Sequence, residues 1–164
     1  MDISPRPMRD ADRIERILAP TEARIRLTLY TAPLCRTIRK DYNIVTTKMY
    51  LARDHKTLLL SKTLRELERA AVEAELASER YRSADYADIK FAPSIFDVRV
   101  VSPFANRYQR SIARIDAVNH LLMLAETKGL MTRKERQDML NPAIALLYEL
   151  KRIALDLPKS SSSM

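Results

Sequence analysis

The sequence is poor in the residues from which many common active sites are built. Its 164 residues include one glycine, Gly129, and one cysteine, Cys35. Glycine-rich phosphate loops and dinucleotide fingerprints need several glycines at fixed spacing, and a disulfide or a CxxC pair needs two cysteines. The two histidines, His55 and His120, lie in neither an HExxH motif nor a zinc-ligand cluster. We therefore expect a protein that is not an enzyme and that binds no metal and no cofactor.

Long apolar runs are also missing. The longest uncharged run, residues 139–148, has about half of the ~20 residues that a membrane-spanning helix needs. Residues 1–5 contain no apolar export segment. Together with the single cysteine, these features predict a cytoplasmic protein that does not enter a membrane.

Basic residues are in excess and are unevenly distributed. Lysine and arginine total 29 against 21 aspartate and glutamate, which gives a net charge of +8 and favours an acidic partner. Residues 1–56 hold 12 basic and 7 acidic residues, and residues 98–164 hold 11 and 6. The stretch between them, 57–97, holds 6 basic and 8 acidic residues. Basic segments around a near-neutral helix are typical of nucleic-acid binding, although they also suit an acidic protein partner.

The hydrophobic pattern predicts a mainly α-helical fold with one or two short strands, in one domain over residues 1–164. A short polar helix is predicted over 9–19. Apolar and polar residues then alternate strictly over 24–30, which predicts a half-buried strand. Two strand–helix–helix units follow from the pattern, over 22–82 and 97–157.

The first unit has two predicted helices. One begins near residue 32, and the segment 41–45 is a predicted break. Thr46 or Thr47 would cap the second helix, which runs toward Arg82 because no glycine or proline interrupts it. Its apolar face is formed by Leu60, Leu64, Leu67 and Ala71, with Leu76 further on.

The second unit begins with a predicted strand over 97–101. Ser102 and Pro103 are typical of a helix start, and Gly129 of a helix end. Thr132 and Glu135 have the spacing of a capping box, in which each side chain accepts a hydrogen bond from the other residue's backbone.

The strand over 24–30 needs a partner, because a single strand is not stable alone. It can pair with 97–101 in the same chain, or with its own copy in a second subunit. We favour the second arrangement, an antiparallel ribbon across a homodimer. That ribbon would expose Arg24, Arg26 and Thr28, which are the predicted base-reading residues. A two-stranded ribbon fits the major groove of DNA, where arginine can donate two hydrogen bonds to guanine.

Phosphate contacts are predicted at two further places. A helix start at Thr46, Thr47 and Lys48 would offer free amides and a positive charge to a phosphate. Arg107 and Arg110 belong to a basic face of a later helix and would contact phosphates beside the ribbon. The alternative for this face is a solvated helix surface with no partner.

Two resemblances agree with this prediction. The order of strand, short helix, turn and second helix over 24–60 resembles the ribbon-helix-helix fold of bacterial and plasmid transcription factors, which assemble as two-fold dimers.

The second resemblance covers residues 22–155. Its motifs are Ile25–Ala32, Ser102–Tyr108, Asp116 and Lys128–Leu130. They are similar to those of the AcaB-like family of integrative conjugative elements and related plasmids. This resemblance implies a ribbon-helix-helix-like regulator that activates transfer genes, extended here by a C-terminal helical region.

The sequence thus favours a homodimeric, sequence-specific regulator of a mobile element that binds double-stranded DNA. Other transcription or conjugation proteins are further candidate partners. The competing hypothesis is a helical adaptor or assembly protein of a conjugation apparatus that does not read DNA. In that case the early strand would pair within the chain and the basic faces would contact acidic proteins.

Overall fold

The computed structural model describes residues 4–9 and 23–159. The predicted helix over 9–19, apart from its first residue, lies outside them. The described fold is mainly α-helical with two short strands, as predicted. Its elements in chain order are β1 (Arg24–Leu29), α1 (Ala32–Arg36), a π-helical segment (Thr37–Tyr42), α2 (Asn43–Leu51), α3 (Asp54–Ser78), a 3₁₀ turn (Glu79–Tyr81), β2 (Ser94–Arg99), α4 (Pro103–Thr127) and α5 (Arg133–Ala154).

The strand β1 forms where the alternation predicts it. Leu27 and Leu29 are buried and Ile25 is half-buried, while Arg24, Arg26 and Thr28 are exposed. β1 pairs antiparallel with β2 of the same chain, in a register from Arg24 opposite Arg99 to Leu29 opposite Ser94. Our favoured partner for this edge, a second copy of the strand, is therefore wrong. The in-chain pairing places buried Phe96 opposite Leu27, so the two strands share one apolar face.

The predicted break at 41–45 is also wrong. The helix continues from α1 through the π-helical segment into α2. Thr46 and Thr47 lie inside it, and their hydroxyls donate to the carbonyls of Tyr42 and Asn43, each at 2.8 Å. Threonine is tolerated in a helix interior when its hydroxyl bonds to the preceding turn in this way.

The chain breaks instead at Ala52 and Arg53. Both residues are extended, with ψ of 147° and 154°, and α3 begins at Asp54. No glycine or proline marks this corner, so residue preferences alone did not identify it.

The C-terminal helix boundaries agree with the prediction. The Ser102 hydroxyl accepts a hydrogen bond from the Ala105 amide at the start of α4. Gly129 follows the end of α4 with φ of +76°, a left-handed conformation that favours glycine. Thr132 and Glu135 form both hydrogen bonds of the capping box at the start of α5.

The core lies between the three long helices and the apolar face of the sheet. α3 packs against both α4 and α5. Four residues of the predicted apolar face of α3 are fully buried: Leu60, Leu64, Leu67 and Ala71. The prediction is wrong for Leu76, which is 68% exposed. Within the described residues, no helix is both long enough and apolar enough to span a membrane.

Candidate nucleic-acid interface

The predicted base-reading residues lie on the face of β1 that is turned away from the core. Arg24, Arg26 and Thr28 are all exposed. The Arg26 Nε donates to the Asp97 carboxylate across the two strands at 3.0 Å, and 61% of the arginine side chain remains accessible. The ribbon is therefore built within one chain, yet it still presents the predicted residues together on one surface.

The edge of β2 that faces away from β1 also has a backbone partner. The Arg6 amide donates to the Ile95 carbonyl at 3.0 Å, so the segment 4–9 runs beside this strand. β2 thus lies between β1 and the N-terminal segment.

Asp116 anchors the end of β1 to the middle of α4. Its carboxylate is 2% exposed and accepts hydrogen bonds from the amides of Tyr30 and Thr31, both at 2.9 Å. It also accepts one from the Thr31 hydroxyl at 2.6 Å. From the sequence, Asp116 is identified only as part of a motif of the AcaB-like resemblance. A single acid next to the buried Ile115 of an apolar helix stripe was the available signal for this anchor.

An aromatic contact reinforces the anchor. The Tyr30 ring stacks on the His120 imidazole with centroids 4.2 Å apart, and Phe91 meets the same imidazole edge-on at 5.7 Å. Burial lowers the pKa of His120, although the nearby Asp116 acts in the opposite direction. These contacts fix the position of Tyr30 beside the exposed face of the ribbon.

The predicted phosphate site at the helix start is not formed. Thr46 and Thr47 are 2% and 3% exposed and lie two turns or more inside a helix. Their backbone amides are therefore used in helical hydrogen bonds instead of pointing at a ligand. Lys48 is exposed on the same helix and keeps its charge accessible.

The arginines of α4 are divided into paired and unpaired ones. The Arg107 guanidinium donates through Nε and Nη2 to the Glu68 carboxylate of α3, and this hydrogen bonding raises the pKa of Arg107. Arg114 pairs with Glu75 at 3.1 Å. Arg110 lies between them, is exposed, and has no carboxylate within 4 Å among the residues that the structure covers. Of the two predicted phosphate ligands on this helix, only Arg110 is uncommitted.

The two ion pairs also define how the helices run. The second pair, Glu75–Arg114, lies seven positions further along both helices than the first pair, Glu68–Arg107. α3 and α4 are therefore parallel neighbours. A small cleft between them is lined by Glu68, Arg107, Arg110, Ser111 and Arg114.

The metal-ligating residue types and the single cysteine are scattered in the described part of the chain. No group of three or more His, Cys, Asp and Glu side chains within the described ranges could hold a metal ion. Cys35 packs partly buried against the core, and burial raises the pKa of its thiol. A raised pKa makes this cysteine a poor nucleophile.

Comparisons with known proteins support the fold and not a specific activity. No family model and no curated protein matches this chain. The structure is similar to the crystal structure of AcaB from uropathogenic E. coli, with a TM-score of 0.67 and 13% sequence identity. The similarity covers 80% of this chain and 76% of AcaB. At this identity it shows a shared fold, and it agrees with the resemblance drawn from the sequence motifs.

Proposed function

We propose that the protein is a homodimeric transcriptional regulator of a conjugative or other mobile element that binds double-stranded DNA sequence-specifically. One observation carries the proposal: Arg24, Arg26 and Thr28 lie together on the exposed face of a two-stranded antiparallel ribbon. Such a ribbon fits the major groove, where arginine donates to guanine O6 and N7. The net charge of +8 supplies the general attraction to phosphates.

In this proposal each chain contributes its own ribbon. Because β2 pairs with β1 of the same chain, each copy in a homodimer brings a complete two-stranded ribbon. A two-fold dimer of this kind would present the base-reading residues of both chains, which suits a palindromic operator. The mobile-element setting is inferred from the resemblance to the AcaB-like family, with which the fold agrees.

Phosphate contacts in the proposal come from exposed cations on the helices. Arg110 is the strongest candidate on α4, because the Glu68 carboxylate already holds Arg107. Lys48 is a second candidate, since its side chain is exposed on α2. These residues would position the protein on the duplex without sequence preference.

The test compares Arg26→Ala with the wild-type protein on two duplexes: a sequence selected from a random library by the wild type, and a random sequence. We expect a loss of ~1–3 kcal/mol on the selected site and little change on the random one. Arg133→Ala, at an exposed arginine of α5, is the matched control and should change neither affinity.

Two outcomes would contradict parts of the proposal. Equal weakening on both duplexes would show that Arg26 does not contact bases. A wild-type protein that selects no sequence and shifts no duplex would exclude DNA binding altogether. Sedimentation of the wild type checks the homodimer, and a monomer at the concentrations used for DNA binding would exclude the two-fold arrangement.

The in-chain strand pairing also favours a second candidate function. An adaptor or assembly protein of a conjugation apparatus needs no ribbon between copies, and its basic faces would bind acidic proteins. Elution from heparin at high salt together with a shift of duplex DNA supports the regulator. Failure of both supports the adaptor.

A further inference from the structure

The outward face of α3 carries cations in three successive positions of one helical stripe. Lys62, Arg65 and Arg69 follow an i, i+3, i+7 spacing, which places them on the same side of the helix. All three are exposed, and none has a carboxylate within 4 Å in the described part of the chain. We call these three residues the α3 cation stripe.

The acids on one flank of the stripe are directed to another helix. Glu68 could pair with Arg65 one turn earlier, but it receives the forked hydrogen bonds of Arg107. Glu75 likewise pairs with Arg114 of α4. Because Glu68 and Glu75 pair with arginines of α4, neither forms an ion pair with the stripe.

The acids on the other flank form no ion pair with the stripe within the described residues. Glu66 and Glu73 have the i,i+4 spacing to Lys62 and Arg69 that commonly gives surface ion pairs. Neither pair is formed within 4 Å in the described structure. Helical periodicity places both glutamates on the side of α3 that faces away from α4.

Arg110 extends the same basic surface onto α4. The helices are parallel neighbours, so their axes are ~8–10 Å apart. Arg110 lines the cleft between them, and the helical phase turns it toward the same side as the α3 cation stripe. Four cations without a carboxylate partner thus face one direction across two helices.

We infer that the α3 cation stripe and Arg110 bind the phosphate backbone of duplex DNA. The inference rests on the proposed function and adds contacts that affect affinity without affecting sequence preference. The stripe spans seven residues of helix, or ~10 Å at 1.5 Å per residue. A duplex carries about one charge per 1.7 Å of axis, so a surface of this length faces several phosphates.

The test replaces two stripe residues in the full-length protein, as Arg65→Gln with Arg69→Gln. The measurement is the dissociation constant for a random-sequence duplex over ~50 to 200 mM salt. Each lost phosphate contact should reduce the salt slope by about 1, so the double variant should lose about 2 and bind roughly tenfold more weakly. The matched control is Arg133→Gln with Lys134→Gln, two exposed cations of α5, and it should keep the wild-type slope.

A charge-preserving variant separates charge from packing. Arg65→Lys with Arg69→Lys should retain most of the salt slope, and all variants should keep the wild-type melting temperature because these side chains are exposed. An unchanged slope in the glutamine variant, with wild-type binding intact, would overturn the inference and leave the proposed function standing. Weaker heparin retention with unchanged DNA binding would also overturn it, since the stripe would then serve another polyanion. Absence of any duplex binding by the wild type would overturn the proposed function itself.

Discussion

At the scale of single residues, Asp116 determines where β1 ends and how the ribbon is held. Its buried carboxylate accepts three hydrogen bonds from Tyr30 and Thr31, and no other described acid approaches these amides. A carboxylate that accepts several backbone hydrogen bonds at a strand end acts as a rigid link between two elements. The position of Arg24, Arg26 and Thr28 relative to α4 therefore depends on this one side chain.

Replacing this carboxylate should destabilise the protein strongly. In Asp116→Ala the two amides and the Thr31 hydroxyl lose their acceptor in a buried site, and each unsatisfied donor costs ~1–3 kcal/mol. We expect a total loss of roughly 3–5 kcal/mol in the free energy of unfolding, measured by urea denaturation. Asp116→Asn keeps one acceptor oxygen and should lose less. Equal, small losses in both variants would show that the carboxylate does not anchor the strand.

At the scale of elements, the sequence predicted those whose boundaries are set by local chemistry. β1 follows from alternation, and the starts of α4 and α5 follow from Ser102 and Thr132, whose hydroxyls cap the first turns. The corner at Ala52 and Arg53 could not be predicted in this way. It depends on where α3 docks between the other long helices, and this is a tertiary effect that overrides local preference.

The choice of partner for β1 was open for a similar physical reason. Both arrangements bury the same apolar side chains of β1, so periodicity does not distinguish them. The decisive residues belong to β2, whose buried Phe96 and Val98 lie opposite Leu27 and Ile25. β1 and β2 are about 70 residues apart along the chain, so no local pattern predicts that they pair.

A disulfide placed across the two strands tests this pairing in solution. Thr28 and Ile95 are opposite each other. The Val100 amide donates to the Ala23 carbonyl. Because hydrogen-bonded and non-hydrogen-bonded pairs alternate along an antiparallel ladder, Thr28 and Ile95 form a non-hydrogen-bonded pair. Cα atoms at such pairs are ~4.5 Å apart, a distance that a disulfide can span. Thr28→Cys with Ile95→Cys, in a Cys35→Ala background, should therefore oxidise within one chain.

The readout is mobility on a non-reducing gel together with the free-thiol count. We expect a species of monomer mass with no free thiol. Either single-cysteine variant in the same background is the control and should keep one free thiol. A covalent dimer as the main product of the double variant would show that these strands pair between copies instead.

At the scale of the whole molecule, ion pairs between elements decide which cations remain available. The composition predicts the basic excess, and the sequence predicts a basic face on α4. Only the packing shows that Glu68 and Glu75 neutralise Arg107 and Arg114 while Arg110 stays unpaired. The candidate interface was therefore predictable as a region, but its individual phosphate ligands were not. The partners of each ion pair are 39 residues apart in sequence and meet only because α3 packs against α4.

The two predicted strand–helix–helix units also depend on each other. β1 of the first unit pairs with β2 of the second, and Asp116 of the second holds the end of β1. α3 of the first unit contacts both long helices of the second. We expect the full chain to unfold in one cooperative transition, with far-ultraviolet circular dichroism and tyrosine fluorescence giving coincident curves.

Fragments divided between the units provide the sharper measurement. A fragment of residues 1–90 would expose Leu60, Leu64 and Leu67, each of which contributes ~1.5–3 kcal/mol when fully buried. That loss is of the order of a whole domain's stability. We therefore expect the fragments 1–90 and 91–164 to show no cooperative thermal transition when separate and to gain helical signal when mixed. A cooperative transition in the isolated 1–90 fragment would show that the first unit folds by itself, without packing against α4 and α5.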